Sequence, residues 1–161
     1  MSDAISAGII NLYGINVVCT NTLLRLAARR LGHIYDHSLL PLELKATQVG
    51  LLSEIAKAQK STPEGPTLQE LSHSLSINMP AVSHAVKPLI KNDLIQLKID
   101  NRDKRVKRCT LTEKGQKKTS QALQLIKDTN DHVEKILGHD EIEFLHSITA
   151  KIASENFLEK K

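Results

Sequence analysis

Ser83, His84, Lys87 and Lys91 share the solvent side of one predicted helix, and Arg102, Lys104, Arg105 and Lys107 follow in a predicted basic hairpin. These side chains donate hydrogen bonds or carry positive charge. They suit recognition of a polyanionic duplex, with hydroxyl and imidazole for base edges and ammonium and guanidinium for phosphates. A B-form major groove admits one helix. A Lys/Arg-rich ribbon beside it reaches the neighbouring phosphates or the minor groove.

Charge is concentrated in the same place. Residues 87–118 hold eleven Lys/Arg against four Asp/Glu, whereas the whole 161-residue chain carries a net charge of only +4. The rest of the chain is therefore mildly acidic. A basic segment in an acidic body is the footprint of a polyanion-binding surface. A charge run by itself would equally describe a solvated face. The two short helices immediately before the hairpin decide between these readings.

The elements that must position these groups follow from periodicity and caps. Residues 1–16 read as irregular. Leu23, Leu26, Ala27, Leu31, Ile34 and Leu39 recur at helical spacing, predicting a helix over 17–40 that ends before Pro41. A second helix is predicted over 47–57. The segment 61–66, rich in Pro and Gly, reads as a loop. Thr67 with Glu70 forms a capping box for a helix that buries Leu68, Leu71 and Leu75.

Ser76 and Ile77 form a turn, and Asn78 caps the next helix, over 78–92, with Val82, Val86, Leu89 and Ile90 inward. Pro80 fits a first turn, but Pro88 should break or kink that helix. Strands are predicted over 94–100 and 105–111, with Leu97, Ile99, Val106, Cys109 and Leu111 lining the apolar side. A long helix over 116–137 stops at Gly138. Asp140 and Glu143 cap a last helix carrying Ile142, Leu145, Ile148, Ile152 and Phe157.

This arrangement resembles the MarR family of winged helix-turn-helix transcription regulators across roughly residues 20–150. Asp103-Lys104-Arg105 followed by Leu111-Thr112-Glu113-Lys114-Gly115 is similar to the family's D-x-R wing tip and trailing L-T-x-x-G. The segment 68–95 resembles its paired helices, and 35–48 resembles its first-to-second helix junction. The resemblance implies a mainly α (α+β) fold: a winged helix-turn-helix with N- and C-terminal helices forming an all-α dimerisation region. The implied organisation is an N-terminal arm and first dimerisation helix (1–44), a DNA-binding domain (45–115) and C-terminal dimerisation helices (116–161).

Residues 78–91 would then be the recognition helix. Asn78, Met79, Ala81, Ser83, His84, Lys87 and Lys91 would face a duplex, with Ala81 suited to a thymine methyl group. The family often has Arg where His84 stands, so a bidentate guanine contact is not implied there. Arg105 would enter the minor groove, with Arg102 beside it and Asp103 as the partner that orients an Arg. Lys104, Lys107 and Arg108 would neutralise phosphates where they face outward; strand alternation turns one or two of them in. The resemblance further implies a homodimer on a palindromic operator, acting as a repressor released by a small-molecule effector. The aliphatic surface of the end segments fits such pairing. Cys19, near the start of the first helix, is similar in place to the reactive thiol of the family's peroxide-sensing branch and is the candidate redox residue; Cys109 reads as structural.

Other chemistries find little support. His33 and His37 stand one helical turn apart, but zinc needs three or four ligands, so no metal is expected. His132, His139 and His146 recur every seven residues, but Gly138 puts them on different elements. No P-loop, dinucleotide fingerprint, HExxH or G-x-S-x-G is present, so neither enzyme activity nor a cofactor is expected. No apolar run approaches 18 residues, so a membrane span is not expected. Without a secretory leader or a disulfide framework, the chain reads as cytoplasmic. The alternative reading is a winged-helix module for protein contact without sequence-specific DNA binding.

Overall fold

Side-chain caps open three of the helices in the structure, a computed structural model that describes residues 9–12, 15–100, 103–154 and 156–157. Strands β1 (Ile9–Leu12) and β2 (Ile15–Val18) pair antiparallel, with Ile9 opposite Val18. This corrects the expectation of irregular chain up to residue 16 and of a helix from residue 17. Ile15, Val17 and Val18 are β-branched and favour a strand. Helix α1 accordingly starts at Thr20 (Thr20–Ser38). A 3₁₀ turn, Leu40–Leu42, contains Pro41 and leads to α2 (Ala46–Ser61).

The next helices are α3 (Leu68–Ser74) and α4 (Met79–Lys91). Thr67 Oγ1 accepts the Glu70 amide at 3.0 Å, and Glu70 Oε2 accepts the Thr67 amide at 2.7 Å. Asn78 Oδ1 accepts the Ala81 amide at 2.9 Å. Pro88 does not interrupt α4. It removes one backbone bond, that to the carbonyl of His84, a residue on the exposed side of the helix.

Strands β3 (Ile95–Ile99) and β4 (Lys107–Leu111) form an antiparallel ribbon with Ile95 opposite Leu111 and Ile99 opposite Lys107. Two residues expected inside are not: Ile90 is 37% and Ile99 61% exposed. Ile90 ends the helix's inward face, and Ile99 lies at the far end of the ribbon, beyond the helices. Thr112 then caps α5 (Glu113–Leu137) through the Gly115 amide at 2.9 Å. Gly138, at φ 103°, both ends α5 and opens α6 (His139–Ala153).

No side chain caps α6, which corrects the expected Asp140–Glu143 cap. Its first turn is held instead by His139, whose Nδ1 lies 2.7 Å from Glu134 Oε1 and whose Nε2 lies 3.5 Å from Glu143 Oε1. The hydrogen bond to Glu134 and the charge of Glu143 raise the His139 pKa above its usual value. Phe157 lies past the end of α6.

The core is aliphatic. Leu39, Leu52, Ile55, Val82, Leu89, Leu94 and Cys109 are fully buried where α2, α4 and the ribbon meet. Gly115 sits so close to the end of α4 that a Cβ there would stand 1.9 Å from the Leu94 carbonyl oxygen. That contact gives the glycine of the L-T-x-x-G segment a steric reason. Gly115→Ala is expected to destabilise the fold by about 1–3 kcal/mol through overpacking, measured as a lowered Tm; an unchanged melt would mean that α5 shifts without strain.

Candidate nucleic-acid interface

The turn between α3 and α4 is tight, and it aims α4 outward. Ser76 adopts φ 51°, the Ile77 amide reaches the Ser72 carbonyl at 3.1 Å, and Ser72 Oγ donates to the Ile77 carbonyl at 2.6 Å. Val82, Val86 and Leu89 then face the core. Met79, Ala81, His84, Lys87 and Lys91 are exposed on the opposite side, and Ser83 is half-buried. Asn78 is exposed, but its side-chain oxygen is committed to the cap.

The ribbon carries the second cluster. Asp103 Oδ1 accepts the Arg105 amide at 2.9 Å and Arg105 Nε at 3.3 Å, while the Arg105 side chain stays 92% exposed. Lys104 and Lys107 are exposed as well. Among the described residues, Lys87, Lys91, Lys104 and Lys107 enter no ion pair. Arg102 lies outside the described residues. Arg108 turns inward, its side chain 22% exposed, onto Asp100 and the Gly65 carbonyl. The structure thus presents exposed cations on one face of α4 and on the ribbon, Arg105 among them with its Asp103 partner.

A polar rim on α3 was not foreseen. Gln69, Ser72, His73 and Ser76 line a groove of about 490 Å³ beside Met79. Only their polarity marks them in the sequence, and polarity on a short helix is too common to single them out.

No family model matches the chain. Over 65 residues it is 43% identical to an uncharacterized HTH-type transcriptional regulator of Staphylococcus aureus, covering 40% of this chain and 41% of that protein. The match thus spans about two fifths of the length of that curated relative. Likeness to solved structures is far more extensive. The transcriptional repressor CouR bound to a 23-mer DNA duplex superposes with a TM-score of 0.77 at 23% identity, covering 84% of this chain and 93% of CouR. A mutant MarR from E. coli complexed with operator DNA superposes at 0.74 with 24% identity, covering 83% and 93%. The fold is that of the MarR-type regulators.

Helices α1 and α6 bury no residue. Leu26, Ile34, Ile136, Phe144 and Ile148 are exposed along α1, α5 and α6. The Tyr35 hydroxyl bonds Asn130 Oδ1 across α1 and α5. Among the described residues no helix is long and apolar enough to cross a membrane, and no group of three or more His, Cys, Asp or Glu is placed to hold a metal ion.

The two thiols differ in kind. Cys109 is fully buried, and burial pushes its pKa up to about 11. Cys19 is half-buried at the start of α1, and hydrogen bonding from Thr22 holds its thiol below the ordinary range. Cys109 is therefore inert at neutral pH, and Cys19 is the more readily ionised of the two thiols.

Asn78 can be tested as a cap independently of any ligand. Asn78→Ala is expected to cost about 1 kcal/mol, seen as a lower urea midpoint at an unchanged slope, while Asn78→Asp keeps the wild-type midpoint. Equal midpoints for Asn78→Ala and wild type would show that the cap contributes nothing.

Proposed function

We propose that this chain is a sequence-specific, double-stranded DNA-binding transcription regulator of the MarR family, acting as a homodimer on a palindromic operator and released by a small molecule. The observation that carries the reading is the exposed, unpaired cationic face of α4 beside an Arg105 held outward by Asp103. Helix α4 meets base edges through Ala81, Ser83 and His84, and Met79, Lys87 and Lys91 lie along the same groove. Lys104 and Lys107 neutralise phosphates, and Arg105, with Arg102 nearby, enters the minor groove. Asn78 contributes by fixing the start of the helix. The resemblance of the fold to DNA-bound MarR and CouR supports this assignment.

Helix α1 from the 1–44 arm and helices α5 and α6 from 116–161 form the dimer interface, leaving 45–115 as the DNA-binding domain. Their exposed aliphatic side chains and the absence of buried residues in α1 and α6 support this division. CouR has also been solved bound to p-coumaroyl-CoA, with a TM-score of 0.72 to this chain, which supports a small-molecule effector here. The protein-contact alternative has one motive fewer, since Pro88 leaves α4 unbroken.

A second reading, redox control of the same regulator, is favoured by Cys19. Its thiolate would attack a peroxide, forming a sulfenic acid and releasing water or an alcohol.

Selection of bound duplexes from a random pool should yield a palindrome, and sedimentation should give twice the 17.9 kDa chain mass. Arg105→Ala should make the fall of log affinity with log salt shallower by about 0.9. A monomer, or binding indifferent to salt, would overturn the proposal. For the redox reading, Cys19→Ser should abolish peroxide-induced release of the duplex; release that persists in the mutant excludes it.

A further inference from the structure

We infer that Arg108 is a positioning residue for duplex reading: its guanidinium ties the wing to the start of α3, so that Arg105 and the exposed face of α4 meet a duplex as one rigid body. The inference rests on the DNA-binding reading above and assigns to this residue a role that its place in a basic run conceals.

Arg108 stands among Lys104, Arg105 and Lys107, all exposed, yet its own side chain is only 22% exposed. Its Nε donates to Asp100 Oδ2, and its Nη1 donates to the Gly65 carbonyl at 2.8 Å. Nη1 also lies 3.7 Å from Glu70 Oε2. These partners come from three places: two hydrogen-bond acceptors, Asp100 at the end of β3 and Gly65 in the loop before α3, and one ion-pair partner, Glu70, on α3 itself. A guanidinium presents its donors in a fixed planar fork, so satisfying Asp100 and Gly65 together fixes their relative positions, and the charge of Glu70 adds to the tie.

The contacts continue in both directions. Glu70 is the residue that closes the α3 capping box. Asp100, with its side chain 10% exposed, accepts the Asp103 amide through Oδ1 at 3.0 Å, and Asp103 in turn holds Arg105. A polar relay therefore runs from the α3 cap through Arg108, Asp100 and Asp103 to Arg105. A two-stranded ribbon alone is marginally stable in water and would swing without such a tie. Arg108 is itself too occupied to serve as a phosphate contact.

The test compares Arg108→Lys, Arg108→Met, Asp100→Asn and the double variant Asp100→Asn with Arg108→Met, which leaves no buried charge unpaired. Each is measured for binding to the selected operator and for amide hydrogen exchange. Arg108→Met should weaken binding about tenfold in the wild-type background and less than about twofold in Arg105→Ala, because both substitutions remove the same contact. Arg108→Lys keeps the charge but not the fork and should not restore affinity. Asp100→Asn removes a negative charge; simple electrostatics predicts tighter binding, whereas the tie predicts weaker. In every variant the amides of 103–107 should exchange faster while those of α4 keep their wild-type rates.

Additive losses with Arg105→Ala, rescue by Lys, tighter binding by Asp100→Asn, or unchanged wing exchange would each overturn the role. Wild-type protein that binds no duplex would instead overturn the functional reading, and this role with it.

Discussion

The aim of the wing relative to α3 and α4 depends on one short antiparallel contact, Thr67 against Arg108, and on the polar groups around it. The Cys109 amide donates to the Pro66 carbonyl at 2.8 Å there. Gly65, at φ 75°, brings the loop so close that a Cβ would lie 1.9 Å from the Cys109 carbonyl oxygen. Such a contact matters more in this chain than in most. The core contains Leu, Ile, Val and Cys, and the chain has only two Phe, two Tyr and no Trp. Aliphatic burial is roughly proportional to area and carries little directional preference. It holds the ribbon onto the helices without fixing its angle, so the angle must come from hydrogen bonds.

This division explains what was legible in the sequence. Caps are local devices, and Thr67 with Glu70, and Asn78, can be read within three residues of chain; the Thr112 cap is not among those read, the long helix being expected from residue 116 where the structure starts it at Glu113. The buried stripes of α3 and α4 follow from period, and strand alternation turns one or two of the wing cations in without saying which. The partners of Arg108 are a different matter. Gly65 is 43 positions away, and no periodicity connects the two. The errors at Ile90 and Ile99 share a cause: period assigns a face but not how far along the element the core extends. Pro88 is expected to break or kink α4, yet the helix runs through it; the cost of a missing amide depends on the surroundings of the orphaned carbonyl, which the sequence does not show. The hairpin over 9–18 was hidden because its β-branched run merges into the helical pattern of α1.

The arms obey a different economy from the lobe. Thr119 and Thr129, buried in α5, satisfy their hydroxyls on the carbonyls of Gly115 and Leu125, both at 2.7 Å, and so need no outside partner. The apolar side chains of α1 and α6 have no such internal solution. Arg25, Arg29 and Arg30 lie on α1 and Asp140, Glu141 and Glu143 on α6, so the two exposed helices carry opposite charge. Surfaces that are both apolar and oppositely charged suit mutual contact between copies of the chain, with charge fixing orientation more than strength.

On the proposed reading, dimerisation also answers a question posed by α4 itself. In that reading Lys87, Lys91, Lys104, Arg105 and Lys107 would supply attraction that is strong but largely blind to sequence. Against them, Ala81, Ser83 and His84 offer few base-edge contacts, and Ser83 is only half-exposed. A good base contact is worth about 1–3 kcal/mol of discrimination. One lobe so equipped would bind DNA while scarcely choosing among sequences. Two lobes held at fixed spacing square the selectivity of one, but only if each wing is fixed relative to its own α4. On the proposed reading, the arms and the Arg108 tie therefore serve one end: the first doubles the number of bases read, and the second keeps each half in register.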